Sequence, residues 1–148
     1  MKLYKISSPD IGNLHLAVHY QKWAFNKNDN PSSDKSLFTN LQNINIGDVF
    51  LGVHTVKGDD YGALIYGAVR SLPINKLVTD DPWKGTYQYP ICIDWSYLYR
   101  DKTKLPKSDL NKILGDLRGG HHKLPNGTNG RSWGPRELQE ILRTCKVI

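Results

Sequence analysis

Four tryptophans, Trp23, Trp83, Trp95 and Trp133, carry the largest flat surfaces in this chain of 148 residues. Trp23 in QKWAFN and Trp83 in DDPWKGTY stand among polar and turn-forming residues, not inside an apolar period. Aromatics so placed line pockets, and two indole faces can sandwich a nucleobase, a stack that contributes about 1–3 kcal/mol per base. The competing reading makes both rings core. Trp95 follows ICID, where strand alternation points it inward, and Trp133 precedes the last helical pattern, whose start it would staple.

Other chemistry is hard to build. His15 and His19 have the i, i+4 spacing of a two-ligand metal face, but no acidic or Cys partner matches it, so they read as exposed or partly packed. His121 and His122 fall in a Gly-rich loop. Asp59-Asp60 and Asp80-Asp81 are paired carboxylates in turn-like sequence, which solvated turns explain. No GxSxG, reactive-Cys or Walker-type motif occurs, so neither a catalytic residue nor a cofactor is expected.

Charge points to a partner. The net charge of +6 is not evenly spread. Residues 1–99 balance nine Lys/Arg against nine Asp/Glu, whereas residues 100–148 carry eleven against five. A basic excess confined to one third of a chain is the footprint of a polyanion-binding face. With no apolar run of 18 residues and no signal-peptide pattern, the expectation is no membrane association and an intracellular, non-secreted protein. Cys92 and Cys145 match no CxxC or zinc spacing and are expected as buried, reduced thiols.

The elements that must position these residues are legible from periodicity. LYKISS reads as a first strand. SPDIGNLHLAVHYQK follows as a helix, with Ser8 as cap, Pro9 at its first position and Ile11, Leu14, Ala17 and Val18 on one face. Asp48 to Val56, ALIYGAVRSL and TYQYPICIDWSYL read as strands. KSDLNKILGDLRGG reads as a helix capped by Ser108, with Leu110, Ile113, Leu114 and Leu117 inward. GGHHKLPNGTNGR reads as a basic loop. A last helix starts at Pro135, with Leu138, Ile141 and Leu142 inward. The order predicts a single α+β domain over 1–148, a curved sheet or small barrel flanked by helices.

Several stretches taken together resemble YTH domains, readers of N6-methyladenine on a PUA-like scaffold. LYKISSPDIGNLHLAVHYQKWA is similar to their opening strand and helix, with Asn13 ten residues before Trp23 and Ala24 after it. IYGAVRS resembles a Phe-x-Gly-x-Ala strand, DDPWKGTYQYPICIDW a Trp-Lys-Gly-x-Phe segment, and NGRSWGPRELQEIL the closing Arg-Asp-x-Gln-Glu stretch. Gln21-Lys22 stands where the family has Gly-x, and Arg131-Ser132 where it has Arg-Asp.

The resemblance implies a non-catalytic reader that binds methylated RNA or flipped-out DNA bases, on its own or within a larger chain or complex. Trp23 and Trp83 would flank the base, and Leu77 or Val78 would meet the methyl. The carbonyl of Ala24 would accept the remaining N6–H, and Asn13 would bond the ring edge. Arg131, with Lys123 and Arg136, would hold phosphates, and Ser7 and Ser8 the sugar or phosphate. On this view Trp23→Ala leaves the fold intact. EVE domains and McrB-type readers of other modified bases, such as 5-methylcytosine in DNA, share the scaffold. A general nucleic-acid-binding module and an ASCH-type processing enzyme are the remaining alternatives.

Overall fold

The computed structural model describes residues 1–8, 10–23, 44–55, 60–71, 91–99, 105–114, 122–123 and 133–144. Its strands are β1 (Leu3–Ser8), β2 (Lys22–Trp23), β3 (Val49–Thr55), β4 (Asp60–Val69), β5 (Ile91–Tyr99), β6 (Leu105–Pro106) and β7 (His122–Lys123). Its helices are α1 (Ile11–Tyr20), α2 (Lys107–Leu114) and α3 (Pro135–Thr144). The sheet runs β2-β5-β4-β3-β1-β7, with β6 paired to β4. Only β1–β3 is parallel; the other pairs among the described residues are antiparallel. The expected α+β architecture, a curved sheet flanked by helices, is what forms.

Both faces of the sheet are covered, and the alternation of side chains along each strand sorts residues between them. Tyr4, Ile6, Phe50, Ile65, Val69, Ile91, Ile93 and Trp95 point to one face, where Leu14 and Ala17 of α1 close over them. Leu3, Val49, Leu51, Val53, Leu64 and Leu98 point to the other, under Leu110 and Leu114 of α2 and Ile141 of α3. Two-sided burial explains the apolar runs of β3 and the middle of β4, whereas β5 alternates, with Asp94 and Ser96 exposed. Gly67 sits where β4 and β5 run close: a Cβ there would meet Ile93 Cγ2 at 2.5 Å and the Asp94 carbonyl oxygen at 2.7 Å.

The ends of the elements depart from expectation in instructive ways. Ser8 does not cap α1. It is the last residue of β1, paired in register with His54, and the cap is Asp10, whose Oδ1 accepts from the Gly12 amide at 2.8 Å. The helix stops at Tyr20, so Gln21 and Lys22 lie outside it. Ser108 is inside α2 and not ahead of it. His122 and Lys123, expected in a loop, form β7 against Ile6 and Lys5. Cys92 is half-buried, not buried, while Cys145 and Leu117 lie outside the described residues.

The start of α3 is built as its sequence suggests. Trp133 is buried beside Leu138 in the second core, and Glu137 Oε2 accepts from the Gly134 amide at 2.9 Å. This reciprocates half of a capping box, with Trp133 and Leu138 at the positions of a hydrophobic staple. The Trp133 indole also donates to the Leu114 carbonyl at 3.2 Å, tying the C-terminus of α2 to α3. A second polar knot sits at the mouth of β3. Asp48, 3% exposed, accepts from the amides of Lys2 and Asn45 and from the Tyr4 hydroxyl. Burial, reinforced by the Asp48 carboxylate beside it, holds that hydroxyl protonated well above the ordinary tyrosine range.

Candidate nucleic-acid interface

The turn from β1 into α1 places the first two candidate residues together. The Ser8 hydroxyl accepts from the Asp10 amide at 3.1 Å and from Asn13 Nδ2 at 3.1 Å, and donates to the Asp10 carbonyl at 3.0 Å. A hydroxyl has one proton and two lone pairs, so these three bonds use its capacity. Ser8 therefore holds the Asn13 side chain in place and does not itself reach toward a sugar. Because the Asn13 nitrogen faces Ser8, its amide oxygen is turned the other way. Asn13 is half-buried in the first turn of α1.

Trp23 lies at the other end of that helix, in β2, opposite Ile91 of β5. It is 6% exposed and belongs to the core on the α1 face. Its ring meets that of Trp95 edge-on, at 6.4 Å between centroids and 72° between planes. Trp95 is itself fixed by its indole N–H, which donates to the Lys22 carbonyl at 3.1 Å. An enclosed, braced ring of this kind is a rigid apolar wall. Its removal leaves a cavity costing about 3–5 kcal/mol, so the expectation that Trp23→Ala spares the fold is corrected.

The link between α1 and β2 is Gln21. Its backbone is left-handed, φ 55° and ψ 46°, and its amide donates to the Ala17 carbonyl. Glycine suits such a position, and a residue with a Cβ is strained there by about 1–2 kcal/mol. The side chain offsets this by donating from Nε2 to the Val18 carbonyl at 2.6 Å and the Trp95 carbonyl at 3.1 Å.

Other candidates divide in two. Arg136 is exposed on α3, which packs on the opposite face of the sheet from Trp23 and α1. Ser7 and Lys123 are placed by their backbones, in β1 opposite Val53 and in β7 opposite Lys5. Trp83, Ala24, Leu77, Val78 and Arg131 lie outside the described residues. The left-handed turn at Gln21 and the edge-on contact of Trp95 with Trp23 go beyond what the sequence shows. The only signal for Gln21 was its occupation of a glycine position, and Trp95 read simply as core.

His15 hydrogen-bonds the Tyr97 hydroxyl across α1 and β5, the partial packing expected of it. Among the described residues no group of three or more His, Cys, Asp or Glu is arranged to hold a metal ion, and no helix is long and apolar enough to cross a membrane.

No protein-family model matches the chain, and no curated protein matches it by sequence. Solved structures match by fold. The chain is similar to the YTH domain of the Zygosaccharomyces rouxii MRB1 protein, solved in complex with N6-methyladenosine RNA, over 96% of this chain and 84% of that one, with TM-score 0.55 and 13% identity. It is similar to the MmI1 YTH domain over 97% and 93%, with TM-score 0.55 and 14% identity. A Pseudomonas putida protein matches over 96% and 98%, with TM-score 0.55 and 11% identity. At these identities the likeness is one of fold, and the fold is that of YTH domains.

Proposed function

We propose that this protein is a non-catalytic reader of a modified nucleobase, with N6-methyladenine in single-stranded RNA as its ligand. The observation that carries the reading is the fold match, over nearly the whole chain, to a YTH domain holding N6-methyladenosine RNA. In this reading Trp23 and Trp83 flank the base and Leu77 or Val78 contacts the methyl. The Ala24 carbonyl accepts the remaining N6–H, and Asn13 bonds the ring edge. The methyl alone is worth about 0.8 kcal/mol of burial. Selectivity therefore depends on the polar groups that a wrong base leaves unpaired. Arg131 and Lys123, with Arg136 from the far face, supply phosphate contacts, and Ser7 contacts the sugar or phosphate.

A second reading, a nucleic-acid-binding module with no preference for modification, is favoured by the enclosure of Trp23 at 6% exposure. Titration with matched oligonucleotides carrying N6-methyladenine, 5-methylcytosine or no modification, each as RNA and as DNA, separates the two. The reader binds the N6-methyladenine RNA at least about tenfold tighter than its unmodified twin, the scale of discrimination that a single methyl pocket reaches. Equal affinities across the panel would establish the second reading. Preference for a modified DNA would move the ligand to that polymer.

A further inference from the structure

We infer that Gln21 is a positioning residue for base recognition, the clasp that fixes Trp23; this rests on the reader function proposed above. Four bonds converge on one residue. Its amide N–H closes α1 onto Ala17, and its carbonyl accepts from the Ile93 amide of β5 at 3.1 Å. Its side-chain nitrogen divides its two protons between the last turn of the helix at Val18 and the β5 carbonyl of Trp95. Both side-chain partners are carbonyls, so only the amide nitrogen can face them. One residue further on, the Lys22 carbonyl receives the Trp95 indole N–H. The helix end, the short strand and the indole that braces Trp23 are thus locked to each other through two consecutive residues.

A purely structural turn would not need this arrangement. Glycine would make the left-handed turn without strain, and a helix C-cap does not require a side chain that reaches a strand. Strained backbone persists where surrounding contacts over-determine it, and such sites collect where geometry has to be held against fluctuation. Here what is held is the tilt and height of the Trp23 ring. A stacking wall that rocks loses contact with a flat ligand before the fold loses any stability. Gln21 is therefore the residue by which recognition can be lost with the fold intact.

The test uses the full chain with Gln21→Gly and Gln21→Glu. Glycine accepts the backbone angle and removes the clasp; glutamate keeps the length but has no protons to donate. Two readouts are taken. One is the ratio of affinities for N6-methyladenine and unmodified RNA. The other is the indole N–H resonances of Trp23 and Trp95, assigned with Trp→Phe variants. Both substitutions are expected to lower the ratio about tenfold, the size of effect that misplacing one contact in a specific pocket produces. The Trp23 resonance should shift, and Gln21→Gly should melt within a few degrees of the parent, since relieved strain and lost bonds oppose each other. A Gln21→Gly protein with an unchanged ratio, or with a lowered melting point as its sole defect, would overturn the inference. If the parent protein itself shows no preference for methylated RNA, the reader function falls. The indole resonances then decide the clasp alone, an unmoved Trp23 signal refuting it.

Discussion

Trp23 fills the core, and the stacking role proposed for it can be separated from that packing by size of substitution. Its ring fills the core against Trp95, so Trp23→Ala should lose about 3–5 kcal/mol in urea unfolding. Trp23→Phe keeps most of the volume while offering a smaller face. It should stay folded, with a much smaller loss of stability, and bind N6-methyladenine RNA more weakly in a fluorescence titration. Arg131→Ala acts on a different term. It should weaken methylated and unmethylated strands alike and reduce the slope of log affinity against log salt by about one. A loss confined to methylated strands would contradict a phosphate role. The burial of Trp23 could not be read from its neighbourhood, where Ala24 and Phe25 follow it but no apolar period runs through it. The residue that encloses it, Trp95, lies far along the chain and is brought alongside only by the pairing of β2 with β5. The left-handed turn at Gln21 was marked only by the glycine that the resemblance sets there, because nothing in a Gln itself marks such a conformation.

The long strands and the helices were legible because their periodicities are long enough to register. β1, β3, β4, β5 and α3 stand within a few residues of where alternation and the 3.6 period put them. β2 and β7, two residues each, have no period to detect and exist only through their partners in β5 and β1. In sequence Ser8 and Asp10 are equally good caps, and only the β3 ladder decides which is free to serve. Close approach of strands is likewise invisible until pairing is known. Gly67→Ala should cost about 1–3 kcal/mol or more, since the new methyl overlaps both a side chain and a backbone carbonyl of β5. Denaturant unfolding measures this directly. Glu137→Ala should cost less, about 0.3–1.5 kcal/mol, as the loss of one cap interaction at the start of α3.

At the scale of the whole molecule, α1, Asn13 and Trp23 lie on one face of the sheet, and α2 and α3 close the other. One alkali-sensitive contribution to stability sits at the mouth of β3. In the fold, burial and then Asp48 favour the neutral Tyr4 hydroxyl, so this contribution to stability is fully present below about pH 10, the unfolded tyrosine value. It is lost as pH rises from there toward the higher folded value. Unfolding midpoints measured from pH 8 to 12 should fall above pH 10 in the parent and fall less steeply in Tyr4→Phe.

The parallel pairing of β1 with β3 also sets an order of events during translation. The first strand leaves the ribosome long before Val49–Thr55 exists to receive it, and its other neighbour, His122–Lys123, comes later still. Domains tend to fold as units, and contacts distant in sequence form slowly. The nascent Leu3–Ser8 segment, with Leu3, Tyr4 and Ile6 as yet uncovered, must therefore wait unpaired. Slowing elongation after that strand has emerged and before Val49–Thr55 follows it would lengthen the wait and should lower the yield of native protein without altering a single amino acid.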